Sequence, residues 1–152
     1  EDPGIIYSKL GANGAYSDLL YVPYGTSKRP LKEQRNDNFL QMKGNEVFKV
    51  AVKTLESIAK DSLKEVNMTS EDIDWFIPHQ ANIRIIQAVS KRLNIPEKKV
   101  IISLTDHGNT SAASIPLALD QSIREGKIKT GDTVLLQSFG AGFTWGTVII
   151  KI

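Results

Sequence analysis

Residues 74–93 read DWFIPHQANIRIIQAVSKRL, and this stretch decides the fold. Asp74-Trp75-Phe76-Ile77 has the character of a short buried strand, which Pro78 ends. From residue 82 the period changes. Ile85, Ile86, Val89 and Leu93 recur at helical spacing, while Arg84, Lys91 and Arg92 fall on the opposite face. Asn94 and Pro96 close that helix at about residue 93. A strand that turns directly into an amphipathic helix is the repeating unit of an α/β layer structure.

Upstream, residues 45–66 predict a longer amphipathic helix. Phe48, Ala51, Val52, Leu55, Ile58, Ala59 and Leu63 form its apolar face, opposite Lys49, Lys53, Glu56, Lys60 and Lys64. Thr69-Ser70-Glu71-Asp72 resembles a capping box opening a short turn. Residues 5–10 and 19–22 read as short strands around the polar turn Gly11-Ala12-Asn13-Gly14, and residues 23–44 as a long surface loop. Downstream, residues 100–102 read as a short strand and 111–125 as a third helix that stops at Gly126. Pro116 fits that helix only in a loosened first turn, because an interior proline loses a hydrogen bond and clashes. Residues 133–139 and 144–152 are apolar strands joined by Gly140-Ala141-Gly142. The expected fold class is therefore α/β, a mixed sheet covered by helices, in one domain over residues 1–152.

Composition removes several classes of function. The chain has 152 residues, 41% hydrophobic and 24% charged, with a net charge of +2. That charge is too small to argue for nucleic acid as a partner. There is no cysteine, so a disulfide framework and a thiolate metal site are excluded. No run approaches the roughly 18 apolar residues of a membrane span, and the start carries no basic region followed by an apolar one. The expectation is a cytoplasmic protein without metal, membrane or nucleic-acid contacts. The chain opens Glu1-Asp2-Pro3-Gly4 rather than on Met, which points to a removed segment or to part of a longer chain.

Three places could carry chemistry. His79 falls at the strand-to-helix junction, where α/β folds place ligands and where a helix N-terminus disfavours a second positive charge. A neutral imidazole donating a hydrogen bond is plausible there. The alternative is a loop histidine bonded to backbone. Asn109, in Asp106-His107-Gly108-Asn109-Thr110-Ser111-Ala112-Ala113-Ser114, is either a helix N-cap or a carboxamide aimed at a site. The small residues after it let that helix approach other backbone closely. The amide of Ala141 could act as an oxyanion donor, or its glycine-flanked turn could be a plain hairpin. His107 reads as an exposed loop histidine. Ser138 lies outside any G-x-S-x-G elbow, so a serine hydrolase is not indicated.

Taken together, Gly44-Asn45-Glu46-Val47-Phe48-Lys49, Pro78-His79-Gln80-Ala81-Asn82, the segment from His107 to Ser114, and Phe139-Gly140-Ala141-Gly142-Phe143-Thr144-Trp145-Gly146 resemble the C-terminal half of β-ketoacyl-acyl-carrier-protein synthase III, in that family's order and spacing. The resemblance is least distinct in residues 1–35. It implies the C-terminal half of a thiolase fold, and a decarboxylating condensation of an acyl-CoA, typically acetyl-CoA, with malonyl-acyl-carrier protein. It implies no cofactor beyond CoA and phosphopantetheine as carriers. His79 and Asn109 would be catalytic, Asn82 and Asn45 would contact the pantetheine arm, and Phe48 and Ala81 would wall the tunnel. Lys49, Arg84, Lys91 and Arg92 would form the basic surface for acyl-carrier protein. The family's nucleophilic cysteine belongs to its N-terminal half, so the chain would need that half and, in the full enzyme, a homodimer. Alone it would not condense. Two other readings follow: an inert fragment that only binds carrier protein, and a thiolase-fold synthase with another acyl substrate. The family's turn commonly carries three glycines, and Ala141 replaces the middle one.

Overall fold

A computed structural model describes residues 2–24 and 39–152. A four-stranded mixed sheet forms the centre. Strand β1 (Gly4–Ala12) lies at one edge and β4 (Trp75–Pro78) at the other, with β5 (Thr133–Gly140) and β6 (Thr144–Lys151) between them in the order β1-β6-β5-β4. β6 runs antiparallel to both β1 and β5, while β4 and β5 are parallel.

Side chains alternate across this sheet, as the period of a strand requires. Phe76, Leu135 and Ile149 point to one face, where helices α1 (Gly44–Glu65) and α2 (Ile83–Arg92) cover them with Ala51, Leu55, Val89 and Leu93. Ile77 and Val134 point to the other face, where Ala118 of α4 (Ser114–Arg124) packs with Ile101 and Ile128. β5 is thus covered on both sides, which explains its unbroken apolar run. The outer side of α4 is less covered, with Leu117 40% and Ile123 43% exposed. No helix among the described residues is long and apolar enough to cross a membrane.

The helices follow their sequence patterns closely, and the capping residues explain their ends. Asn82 caps α2, its Oδ1 accepting the Arg84 N–H at 2.9 Å. The Asp72 carboxylate accepts the Thr69 N–H at 2.7 Å and hydroxyl at 2.8 Å, closing the turn before β4. Pro116 sits in the first turn of α4, where its missing N–H has no partner to lose. Gly126, at φ +69°, takes the left-handed position after that helix.

Four expectations are corrected. First, Gly11 and Ala12 of the expected turn belong to β1. β1 pairs with β6, and the short β2 (Leu20–Tyr21) pairs with β3 (Gln41–Met42) in a separate sheet. Close packing accompanies the β1–β6 pairing: the Trp145 indole fills the space that a side chain on Gly11 would need. Second, residues 23–44 include that strand β3, and residues 25–38 of the expected loop lie outside the described residues. Third, residues 100–102 make no strand. Val100 forms one bridge to Phe76, and the Ile101 N–H donates to Phe76 O at 2.9 Å, before the chain turns into the single-turn helix α3 (Leu104–His107). Three apolar residues between a proline-led turn and α3 are too few to extend the ladder. Fourth, the third helix begins as a separate tight turn, Ser111–Ala113, ahead of α4.

Candidate active site

Parallel pairing of β4 with β5 brings their C-terminal ends to the same edge of the sheet, the usual place for ligands in α/β folds. His79 follows β4 directly, and its N–H donates to Gln137 O of β5 at 2.7 Å. The Gly140-Ala141-Gly142 turn lies just beyond β5. A cavity of about 670 Å³ opens here, and His79, Asn109, Ala141, Asn82, Phe48 and Ala81 all line it. No Asp, Glu, Lys or Arg is among its described lining residues.

The His79 ring is half-buried, and burial pushes its pKa below the ordinary 6.5. Nδ1 lies 2.7 Å from Ser114 Oγ, and the Phe139 ring stands edge-on at 6.2 Å between centroids. Phe139 in turn stacks on Phe143 at 5.7 Å, and Tyr16 meets Phe143 edge-on at 6.2 Å. The ring is therefore held by one polar contact and a wall of aromatic groups. Its neutral form is the favoured one.

Asn109 reaches the same cavity from the loop between α3 and the turn at Ser111–Ala113. Its Oδ1 accepts the Ser111 N–H at 3.0 Å, a local turn rather than a helix cap. The caps are Thr110 for the tight turn and Ala113 for α4. With Oδ1 engaged, the amide Nδ2 has no partner among the described residues and is left as a donor.

Gln80 is fully buried and ties the two loops together. Its Nε2 donates to Pro78 O at 2.7 Å and Ile101 O at 3.2 Å. Its Oε1 accepts the N–H groups of Ser103 at 2.9 Å and Leu104 at 3.2 Å. The loop beyond β4 and the segment leading to Asn109 are thereby fixed to one side chain.

The turn after β5 is a hairpin, and alanine fits its middle. The left-handed angle falls on Gly142, at φ +130°, and not on Ala141. The Thr144 hydroxyl donates to Ala141 O at 3.3 Å. Reciprocal bonds between Asn13 and Phe143, at 2.8 and 3.0 Å, anchor the turn from outside.

Other expected residues lie further off. Asn45 is exposed in the first turn of α1 and does not line the cavity, although Gly44 beside it does. The Arg84 guanidinium sits 5.7 Å over the Phe48 ring, at the cavity's flank. Lys49 is exposed one residue on from Phe48. Lys91 and Arg92 lie in the last turn of α2, about 12 Å further along its axis. Arg92 is engaged by Glu56 at 2.8 Å, so its charge is partly matched. His107 is exposed and its Nε2 donates to Gln121 Oε1 at 3.2 Å, away from the cavity.

Ser114, Gln80 and Phe139 shape the site, yet in the sequence they stand only as members of longer motifs. No local pattern marks a serine or glutamine that acts through another side chain.

Residues 63–152 match the family model described as 3-Oxoacyl-[acyl-carrier-protein (ACP)] synthase III C terminal. A beta-ketoacyl-[acyl-carrier-protein] synthase III of Alkalilimnicola ehrlichii is 50% identical over 151 residues, 99% of this chain and 47% of that protein. The protein of the same name from Vesicomyosocius okutanii is 52% identical over 151 residues, 99% of this chain and 46% of its own length. The crystal structure of 3-oxoacyl-[acyl-carrier-protein] synthase III from Aquifex aeolicus superposes with a TM-score of 0.89 at 39% identity, covering 100% of this chain and 46% of that one. The chain spans about half the length of the curated relatives it matches. A mixed sheet with this order, the four motifs gathered at one edge of it, and these likenesses have one reading: the chain has the C-terminal half of a thiolase-like fold and belongs to the 3-oxoacyl-[acyl-carrier-protein] synthase III C-terminal family.

Proposed function

We propose that this chain is the C-terminal domain of a fatty-acid-initiating acyltransferase. In this reading it supplies the His79 and Asn109 donors that decarboxylate a malonyl thioester during condensation with an acyl-CoA, typically acetyl-CoA. The observation that carries the reading is a single uncharged cavity lined by both side chains and by Ala141.

The chemistry follows from that lining. When the malonyl carbon–carbon bond breaks, carbon dioxide leaves and the electron pair moves onto the thioester as an enolate, with charge on its oxygen. Neutral donors fixed in advance at that oxygen stabilise the transition state more than the substrate. The depressed pKa of His79 supports a neutral imidazole in this role. The enolate carbon then attacks an acyl thioester held on a cysteine, whose thiolate departs. This chain has no cysteine, so the nucleophile comes from an N-terminal half, and the chain alone is inactive in condensation. The Ala141 N–H serves the oxyanion of that second step. The exposed Leu117 and Ile123 of α4 are suited to burial against such a half.

Asn82 and Asn45 are assigned to the pantetheine arm, and Phe48 and Ala81 to the tunnel wall. Lys49, Arg84, Lys91 and Arg92 are assigned to an acidic acyl-carrier protein. The carriers are CoA and phosphopantetheine thioesters, with no metal or other cofactor, and the complete enzyme acts as a cytoplasmic homodimer.

The test uses the enzyme assembled with its cysteine-bearing half. His79→Ala and Asn109→Ala should each lower malonyl-carrier-protein decarboxylation about a hundredfold or more. Acyl transfer from CoA to the cysteine should stay measurable. Decarboxylation at the parent rate in both variants would refute the assignment.

A further inference from the structure

Ser114 has no role in the chemistry described so far, yet it is 2% exposed and touches the ring that does. Its Oγ makes two contacts among the described residues. The Gln80 N–H donates to it at 3.2 Å, and His79 Nδ1 lies 2.7 Å away.

A hydroxyl has one proton and two lone pairs. If His79 carried its proton on Nδ1, Ser114 Oγ would accept from both neighbours, and its own O–H would have no acceptor in a buried place. Leaving a buried donor unpaired is costly. If instead Nδ1 is bare, Ser114 accepts from Gln80 and donates to His79, and every polar group at the junction is satisfied. The ring proton then sits on Nε2, which has no partner among the described residues, on a side chain that lines the cavity.

We propose that Ser114 is a positioning residue whose hydroxyl donates to His79 Nδ1, holding the imidazole as the Nε2–H tautomer with that N–H available to the substrate. The inference rests on the reading of His79 as the donor to the thioester oxygen. A ring locked in the other tautomer would offer a lone pair there and repel the developing charge. Ser114 is also the first residue of α4, so the rigid helix sets the direction of the bond.

Long-range ¹H–¹⁵N NMR of ¹⁵N-histidine-labelled assembled enzyme reads the tautomer directly, with His79 assigned by loss of its signals in His79→Ala. The parent enzyme should show Nε2–H alone. Ser114→Ala should populate both tautomers and slow decarboxylation about tenfold, less than the hundredfold or more for losing the donor itself, with KM for the malonyl thioester within about twofold. Ser114→Thr, which keeps the hydroxyl, should restore both readouts. An Nδ1–H ring in the parent overturns the proposal, whatever the variants do. So does a Ser114→Ala enzyme with an unchanged tautomer, even if its rate falls. Parent-level decarboxylation by His79→Ala would overturn the functional reading instead, and the NMR result separates the two failures.

Discussion

Gln80 Oε1 accepts the Ser103 N–H at 2.9 Å, joining the loop that carries His79 to the segment that leads to Asn109. The same side chain bonds Leu104, Pro78 and Ile101, so all its polar atoms are used while it is fully buried. Gln80→Leu keeps the bulk and removes every one of these bonds. Buried backbone groups left unpaired cost about 1–3 kcal/mol each, so a loss of about 3 kcal/mol is expected after partial relaxation. Denaturant unfolding of the assembled enzyme checks this. A variant as stable as the parent, with undiminished decarboxylation, would show that the loops hold their places without it.

Burial of His79 sets a pH dependence whose sign is fixed. Its ring titrates below the ordinary 6.5 in the folded chain because burial disfavours the imidazolium. Between the folded value and 6.5 the unfolded chain binds more protons than the folded one. Stability from this group is therefore complete above 6.5, falls as pH drops through that window, and levels off below the folded value. His79→Gln should flatten that stretch of the stability–pH curve. The acid limb of decarboxylation should likewise lie below pH 6.5, since the neutral donor persists there. An acid limb above 6.5 would contradict a desolvated ring.

Arg84 and Arg92 carry the same charge on one helix but differ in their surroundings. Arg84 stands over Phe48 at the cavity's flank, whereas Arg92 is paired with Glu56. Arg84→Glu should raise KM for a malonyl-carrier protein about tenfold, more at low salt than at high, while use of malonyl-CoA changes little. Arg92→Glu should have a smaller effect on the carrier protein, because the charge it removes is already partly matched. Steady-state kinetics with both substrates at two ionic strengths decide this. Equal losses on both substrates would place Arg84 in the chemistry rather than in docking.

Much of this fold is legible in the sequence, for reasons that vary by element. α1 and α2 bury one face each, so Ala51, Leu55, Ile86 and Val89 print a helical period. β5 is buried on both sides and reads as a plain apolar run. The pairing of β1 with β6, which sets Trp145 against Gly11, is not legible, because it joins residues more than a hundred positions apart. Val100 and Ile102 have strand-forming side chains, but Ile102 faces solvent and the ladder ends after one bridge.

The site divides in the same way. His79 and Ala141 are candidates in the sequence because they lie at the ends of strands, where α/β folds bind ligands, yet a backbone-bonded loop histidine and a plain hairpin fit those positions as well. Their convergence with Asn109 rests on a family resemblance, because position alone favours a helix cap there. Ser114 and Gln80 stayed hidden. A short polar residue beside a motif looks the same in sequence whether it meets water or a buried ring, and only the packed structure tells these apart.

The glycine at position 11 gives the cavity a remote point of control. Because the indole of Trp145 stands where a side chain would be, and Trp145 is among the residues that line the cavity, the outermost strand and the chamber share one residue. One methyl group placed at Gly11, on a strand that adds no residue to the cavity that His79 and Asn109 line, would push that ring and alter the wall it belongs to.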